Sequence, residues 1–214
     1  MALIPFEPFS TYAVIGPTQV GKSTWMYKFF QHMNDLFVED VPDEVLYCYG
    51  VHQPLYDEMK STCSFIQFQE GLPTKEELDK FASGSHKIVV LDDLLSEVVQ
   101  NPEMERLFTQ GSHHKRLSVF FLQQNIYQQG RCSKTISLNT AYLVLFQSRR
   151  DKSQLNILGR QLKPGYHHEF IQAYDDAVSK PYGYLIVDLK PYTEDRFRWR
   201  TNIWPGENPI IYEV

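Results

Sequence analysis

The side chains with the most distinctive chemistry lie early in the chain, in one run of nine residues. The run is Gly16, Pro17, Thr18, Gln19, Val20, Gly21, Lys22, Ser23 and Thr24. Gly16 and Gly21 let backbone N–H groups curl around a phosphate without a Cβ in the way. Lys22 can bridge the β- and γ-phosphates, and Ser23 offers a hydroxyl to Mg²⁺. The G-x-x-x-x-G-K-S spacing therefore predicts a site for a nucleoside triphosphate, with ATP and Mg²⁺ as cofactors.

Two acidic residues follow the apolar run at residues 88–91. A triphosphate site needs one carboxylate for the metal ion and another to orient the attacking water. We expect Asp92 in the first role and Asp93 in the second. Standing alone, the same run would be interpreted as a buried strand ending in an acidic turn. Because the run occurs together with the phosphate loop, residues 16–24, we favour the interpretation that the two acids bind the metal ion and orient the water.

Amide side chains end a third apolar run, residues 118–122, as Gln123, Gln124 and Asn125. An amide at the carboxyl end of a strand can donate a hydrogen bond to the γ-phosphate or to its water. A polar strand end is common by itself, so only the order of the three runs supports this role. We interpret Gln124 as a sensor of the γ-phosphate.

These groups need strands that end at one edge of a sheet. Short runs rich in Val, Ile, Phe, Tyr and Leu predict strands at residues 12–15, 44–49, 64–68, 87–91, 118–122, 141–146 and 182–187. Helical patterns occupy residues 22–33, 74–82, 101–110, 152–161 and 168–179. Because strands and helices alternate, we predict an α/β fold with a mostly parallel sheet. We assign residues 1–190 to this domain and residues 191–214 to a C-terminal hairpin or arm packed on it.

The composition fits an ordinary globular protein. The chain has 214 residues, of which 43% are hydrophobic and 22% charged, so disorder of the whole chain is excluded. No apolar run reaches the roughly 20 residues of a membrane helix. We expect no secretory signal, because residues 1–10 contain neither a basic nor a continuous apolar region. The three cysteines, Cys48, Cys63 and Cys132, lack metal-binding spacing. They favour a reducing compartment.

Charge is segregated along the chain. Residues 1–110 carry 7 basic and 17 acidic side chains. Residues 111–165 carry 9 basic side chains and 1 acidic one, and residues 166–214 carry 5 basic and 8 acidic ones. The net charges of −10, +8 and −3 sum to −5. For an arbitrary sequence, a solvated basic face or salt bridges to the acidic half would be the usual explanation. Contact with nucleic acid is the alternative, since a protein binds DNA with a surface and not with its average charge.

Several nucleotide-dependent classes lack their motifs in this sequence. There is no N-K-x-D, so guanine specificity is unsupported, and no L-S-G-G-Q, which argues against a transporter-type ATPase. A nucleoside kinase needs an arginine-rich lid. Arg149 and Arg150 leave that alternative open.

The combined pattern resembles the FtsK/HerA superfamily of DNA-pumping ATPases. Within it, the chain is most similar to genome-packaging ATPases of Polinton-like, virophage-like and large eukaryotic DNA viruses. The resemblance spans roughly residues 11–190 and rests on the phosphate loop, the two acids, residues 111–125, residues 136–146 and residues 149–154. It implies a P-loop NTPase (RecA/FtsK-like) fold. Because the first predicted strand begins at residue 12, it also implies a motor without the extra modules of cellular members.

The resemblance supports the roles given above to the phosphate loop, Asp92, Asp93 and Gln124. Two positions depart from the cellular pattern. Asp93 is a methylene shorter than the usual Glu, and His113 stands where cellular pumps have an arginine. The arginine that acts across a subunit boundary must then come from elsewhere. Arg149 and Arg150 are our first choice, ahead of Arg116 and Arg131, and each of these could equally be a surface or DNA-facing cation.

The resemblance implies an ATP-driven translocase of double-stranded DNA, built as a homo-oligomeric ring, that packages a viral genome into a preformed capsid. A capsid or portal vertex protein would be its partner, with no membrane involved. Its location would be intracellular, where virions assemble. The alternatives are a HerA-like DNA-processing ATPase or helicase and a P-loop nucleoside kinase. We expect the sequence-independent DNA contacts at Arg131, Lys134, Lys115 and Arg116.

Overall fold

The computed structural model describes residues 4–37, 39–111, 115–150 and 152–213. Within these residues the strands are β1 (Thr11–Ile15), β2 (Glu44–Tyr49), β3 (Ile66–Glu70), β4 (Lys87–Asp92), β5 (Leu117–Gln123), β6 (Tyr142–Phe146), β7 (Tyr184–Asp188), β8 (Trp199–Thr201) and β9 (Ile210–Ile211). The α-helices are α1 (Lys22–Gln31), α2 (Met33–Leu36), α3 (Pro54–Thr62), α4 (Lys75–Phe81), α5 (Leu95–Val98), α6 (Pro102–Arg106), α7 (Ser133–Leu138), α8 (Lys152–Leu162) and α9 (His167–Ala177). A π-helical turn, Leu107–Gly111, follows α6, and a short 3-10 helix, Asp195–Phe197, precedes β8.

These strands form one sheet in the order β3-β2-β4-β5-β1-β6-β7-β8-β9. From β3 to β6 all neighbours run parallel, whereas β7, β8 and β9 are added antiparallel. Parallel neighbours need long crossover connections, which the helices supply. The predicted α/β class with a mostly parallel sheet flanked by helices is confirmed.

The register of the central strands brings three carboxyl ends together. Ile15 of β1 is paired with Gln123 of β5, and Asp92 of β4 is paired with Leu122 of β5. The phosphate loop, the two acids and the amides therefore follow neighbouring strands at a single edge. In open α/β sheets this carboxyl edge is where ligands bind.

Aromatic rings hold α1 against one face of the sheet. Tyr12 of β1 is stacked between Phe120 of β5 and Tyr142 of β6, with ring centroids 4.1 Å and 4.9 Å away. Phe29 of α1 meets Phe120 edge-on at 4.9 Å. Rings of this size contribute large buried apolar area and prefer such offset or edge contacts. The helix that follows the phosphate loop is thereby fixed to the strands beneath it.

The opposite face is covered by two sets of helices. Side chains of α4, α5, α6 and α7 pack over β4 and β5, and those of α8 and α9 pack over β1, β6 and β7. This two-sided cover explains why the central strands are continuously apolar in sequence. Among the described residues, no helix combines the length and apolar character required to cross a lipid bilayer.

Several predicted boundaries are wrong. The helix expected over residues 22–33 is interrupted at His32, which separates α1 from α2, and β3 begins two residues later than expected. The helix expected over 101–110 changes to a π-helical turn after Arg106. The sequence pattern missed α3, α5 and α7. Each buries too few side chains for a clear helical stripe: Tyr56 and Met59 in α3, Val98 in α5, and Ile136 in α7.

The C-terminal residues continue the same sheet. β8 pairs antiparallel with β7, and β9 pairs antiparallel with β8, so the predicted hairpin is confirmed. Trp199 of β8 packs edge-on against Phe170 of α9, with ring centroids 5.3 Å apart. The assignment of a boundary at residue 190 stays a prediction.

Candidate functional site

The phosphate loop connects the buried strand β1 directly to α1. Gly21 caps the helix with a φ of +98°, in the left-handed region that glycine adopts without strain. A Cβ on Gly16 would lie 2.7 Å from Cβ of Phe146 and 2.8 Å from Cγ2 of Val20. The backbone N–H of Gly16 donates to the carbonyl of Gln123, 3.1 Å away. Both glycines are therefore required by the fold of the loop itself.

Lys22 lies across the phosphate loop. Its Nζ donates to the carbonyl oxygens of Gly16 and Pro17 at 2.6 and 2.9 Å. Burial lowers the pKa of Lys22, while the carboxylates of Asp92 and Asp93 act to raise it. The ammonium group is thus positioned between the loop carbonyls and the acidic strand end, where a triphosphate bound in the loop would offer it stronger acceptors.

Asp92 is the last residue of β4, and its side chain is buried, with 4% of the residue exposed. Its Oδ2 accepts hydrogen bonds from Ser23 Oγ at 3.1 Å, Tyr47 OH at 2.6 Å and Tyr56 OH at 2.9 Å. Burial raises the pKa of Asp92, whereas these three hydrogen bonds and Lys22 act to lower it. The predicted pair Ser23 and Asp92 is therefore in direct contact.

The tyrosines were missed by sequence reasoning. Tyr47 lies in β2, which neighbours β4, and Tyr56 lies in α3. Burial raises the pKa of both phenols, with the Asp92 charge adding to the shift, so both hydroxyls stay protonated and donate. Only the strand order could have indicated them, because nothing in the local sequence links them to Asp92.

Asp93 is exposed and adopts a φ of +57°, in the left-handed region that Asp tolerates better than most residues. Its backbone is packed closely against the end of β2. A Cβ on Gly50 would lie 2.4 Å from the carbonyl oxygen of Asp93. The second acid is thus held at the carboxyl edge by tight backbone packing, with its carboxylate open to solvent.

Gln124 and Asn125 lie beside the phosphate loop, as the interpretation of Gln124 requires. Both are exposed, and they line a small cleft together with Gly16 and Ser148. Oε1 of Gln154 in α8 accepts from the backbone N–H groups of Ile126 and Tyr127 at 3.0 and 3.2 Å. This contact ties the segment that carries the amides to α8.

Arg149 and Arg150 follow β6, the strand on the other side of β1. Both are exposed, and neither forms an ion pair with a residue that the structure describes. The turn that carries them is fixed by Tyr174, whose hydroxyl donates to the carbonyl of Phe146 at 2.9 Å and accepts from the N–H of Ser148 at 2.8 Å. They are therefore near the site but open to a neighbouring molecule. His113 lies outside the described residues.

The four cations predicted to contact DNA do not form one patch. Lys115 pairs with Asp79, and Arg116 pairs with Asp40 at 2.6 Å, both at the amino end of β5 and away from the phosphate loop. Arg131 and Lys134, in contrast, are exposed at the start of α7. The amide N–H of Cys132 beside them donates to Val99, which follows α5, so this pair lies toward the carboxyl edge.

Solved viral packaging enzymes share this architecture. The DNA-packaging ATPase from Sulfolobus turreted icosahedral virus matches 97% of this chain and 98% of its own, with a TM-score of 0.59 at 11% sequence identity. The genome packaging NTPase from Sulfolobus turreted icosahedral virus 2, in complex with sulfate, matches 97% of both chains, with a TM-score of 0.57 at 12% identity. This chain has their fold. The predicted P-loop NTPase architecture is confirmed by that likeness.

No family model matches the sequence, and no curated protein matches it. At 11–12% identity the likeness to the two viral enzymes establishes the fold alone.

Proposed function

We propose that this chain is an ATPase that drives double-stranded DNA into a preformed viral capsid. The observation that carries the proposal is the 3.1 Å contact between Ser23 Oγ and Asp92 Oδ2. It joins the phosphate loop of Lys22 to the acidic end of β4, so a phosphate cradle and a metal-binding pair meet at one edge. The packaging roles of the two viral enzymes with this fold support DNA as the cargo.

Ser23 and Asp92 are the residues that would hold Mg²⁺ with ATP. A hydroxyl and a carboxylate oxygen suit this ion, which binds few protein groups and keeps several waters. When bound, Mg²⁺ neutralises charge on the β- and γ-phosphate oxygens. Tyr47 and Tyr56 orient the Asp92 carboxylate by donating to the same oxygen that Ser23 contacts.

The remaining steps use Lys22, Asp93 and Gln124, which lie at the carboxyl edge. Lys22 exchanges its two carbonyl partners for β- and γ-phosphate oxygens. Asp93, exposed beside it, orients the attacking water, and Gln124 donates to the γ-phosphate or to that water. Loss of the γ-phosphate removes the acceptor from Gln124. The segment fixed by Gln154 then carries this change toward α8.

We further propose that neighbouring copies complete the site. Arg149 and Arg150 are exposed at the end of β6 without an ion-pair partner among the described residues, and an arginine from a neighbour is a common way to stabilise the transition state. A homo-oligomeric ring around DNA would place the exposed Arg131 and Lys134 against phosphates, without reading sequence. Such a motor would act inside the host cell at the site of virion assembly, docked on a capsid or portal vertex protein.

The decisive test is ATP hydrolysis with and without long duplex DNA. We expect the parent to hydrolyse ATP and duplex DNA to stimulate this hydrolysis. Lys22→Ala should abolish hydrolysis and most nucleotide binding. Asp93→Asn should abolish hydrolysis while ATP stays bound. Lys60→Ala, which removes an exposed lysine from α3, is the matched control and should behave as the parent.

Other outcomes separate the alternatives. ATP consumption that depends on an added nucleoside and ignores DNA would identify a nucleoside kinase. DNA-stimulated hydrolysis without any packaging into purified capsids would favour a HerA-like DNA-processing ATPase. Parental rates in both Lys22→Ala and Asp93→Asn would show that the active site is elsewhere.

A further inference from the structure

A cleft of about 490 Å³ opens beside the phosphate loop. Most of its lining comes from three segments: the start of α1, the turn at residues 180–183 with the first residue of β7, and residues 201–208 at and after the end of β8. Gly21 and Thr24 of the phosphate loop form part of its wall. A pocket of this size accepts a small organic ligand.

The sheet order relates this cleft to the direction of a bound triphosphate. Ser23, Asp92 and Asp93 fix the γ-phosphate end toward β4, which lies on one side of β1. β6 and β7 lie on the other side of β1, and the cleft is on that side, with Phe146 and Tyr184 in its wall. The part of the nucleotide beyond the α-phosphate must leave the loop away from β4, and therefore toward the cleft.

Tyr182 stands at the entrance as an exposed aromatic ring, with 71% of the residue accessible to solvent. Its Cδ1 lies 2.7 Å from the position that a Cβ on Gly21 would occupy, so the ring borders the phosphate loop. Its φ of +62° is unusual for a tyrosine. The turn is held by the N–H of Gly183, which donates to the carbonyl of Lys180 at 3.0 Å.

The opposite wall is formed by the C-terminal segment. Lys28 of α1 lies 4.8 Å from the centroid of the Trp204 ring and donates to Glu207 Oε1 at 3.2 Å. Nδ2 of Asn202 donates to the carbonyl of Asn208 at 3.3 Å. The aromatic ring on one side of the cleft can stack on the π-face of a heterocyclic base, and the polar groups on the other side can hydrogen-bond to its edge.

We propose that the cleft holds the nucleoside of the bound triphosphate, with the base stacked on Tyr182. The proposal rests on the nucleotide site proposed above and extends it to the base. It gives the C-terminal hairpin a role in nucleotide binding, since residues 201–208 form one wall. It also explains why an aromatic ring is kept exposed in a left-handed turn beside the loop.

The test compares two ligands on the full chain by titration calorimetry: ATP, which carries a base, and inorganic triphosphate, which does not. We expect Tyr182→Ala to raise Kd for ATP about tenfold and to change Kd for inorganic triphosphate by less than about twofold. Tyr182→Phe should bind ATP as the parent does, because the phenyl ring still stacks. Tyr192→Ala, which removes an exposed tyrosine outside the cleft, is the matched control.

Two results would overturn the proposal while leaving the nucleotide site intact. One is unchanged ATP affinity in Tyr182→Ala. The other is an equal loss of affinity for ATP and inorganic triphosphate, which would mean that the ring only supports the phosphate loop through Gly21. A third result would overturn the proposed nucleotide site together with the base cleft. In that case the parent would bind neither ATP nor inorganic triphosphate more tightly than Lys22→Ala does.

Discussion

At the scale of single residues, the site is organised around one buried carboxylate. Ser23, Tyr47 and Tyr56 all donate to the same oxygen of Asp92, so the charge is supported by three hydroxyls in the interior. Burying a carboxylate is costly unless such donors or a cation accompany it. The arrangement is consistent with the metal-binding role proposed for Asp92, which would be maintained at some expense of stability.

Asp92→Asn should raise the melting temperature at neutral pH in magnesium-free buffer while abolishing hydrolysis. Burial raises the pKa of Asp92 above its ordinary value. The folded protein therefore binds a proton at this carboxyl more tightly than the unfolded chain does. The stabilisation that results from this protonation is fully present below the unfolded pKa and is lost as the pH rises through the folded pKa. An amide does not ionise, so the variant should also lose this part of the pH dependence. Thermal melts from mildly acidic to neutral pH check both statements, and a less stable variant at neutral pH would contradict them.

Tyr56→Phe should weaken the use of Mg²⁺. The change removes the donor 2.9 Å from Asp92 Oδ2 and leaves the ring in place. Groups that orient a metal ligand typically contribute about 10- to 100-fold to metal affinity, so the Mg²⁺ concentration for half-maximal hydrolysis should rise by about tenfold or more. Magnesium-free ATP binding should be unchanged. Tyr27→Phe is the control, because that hydroxyl contacts Thr62 Oγ1 at 2.8 Å and not Asp92; an equal effect in both variants would refute the role.

At the scale of elements, β5 divides the basic segment between two edges of the sheet. Lys115 and Arg116 precede the strand and pair with Asp79 and Asp40 on the amino side. The cations at the start of α7 follow it and form no ion pair within the described part of the chain. Arg131 lies near the carboxylate of Glu105 but makes no direct ion pair with it, so the second group is exposed and free to contact phosphate, which makes it the better candidate for DNA.

Replacing Arg131 and Lys134 together by Ala should make DNA binding less dependent on salt. Each phosphate contact contributes roughly 0.9 to the slope of log K against log salt for duplex DNA, so the double variant should lose about 1.8 if both cations contact phosphates. DNA-free hydrolysis should persist. The matched double variant, Lys115→Ala with Arg116→Ala, removes the same charge from the other edge and should change the slope less. A larger change of the slope in Lys115→Ala with Arg116→Ala than in the first double variant would place DNA at the amino edge.

At the scale of the whole molecule, the carboxyl edge carries two exposed arginines on the side of β6. These are Arg149 and Arg150, and within the described part of the chain no arginine forms an ion pair with Asp92 or Asp93. A ring would supply one from the neighbouring copy. The proposed motor is therefore a property of the assembly and not of the single chain.

One of Arg149→Ala and Arg150→Ala should cut hydrolysis by about 10³- to 10⁵-fold while leaving that variant's own ATP affinity unchanged. Mixing it with Lys22→Ala should restore part of the activity, because some interfaces then join an intact loop to an intact arginine. Hydrolysis measured across mixing ratios, with mixed assemblies verified by a tag on one variant, checks this expectation. Absence of rescue in verified mixed assemblies would argue against an arginine acting in trans.

The sequence by itself determined the local parts of this site. Gly16, Gly21 and Lys22 are close in the chain, and a strand, a tight loop and a helix follow each other there, so their spacing already specified the cradle. The same holds for Asp92 and Asp93 after a fully apolar strand. Such units are readable because neighbouring residues set both their backbone conformation and their chemistry.

The tertiary structure alone decided which distant residues meet. Tyr47 and Tyr56 reach Asp92 across 45 and 36 positions of sequence, because β2 lies beside β4 and α3 packs over them. The pairing of cations with Asp79 and Asp40, and the wall that the C-terminal hairpin adds beside Gly21, follow equally from the strand order. Periodicity shows that a strand is buried but not which strand is its neighbour, and that choice is made by the packing of the whole sheet.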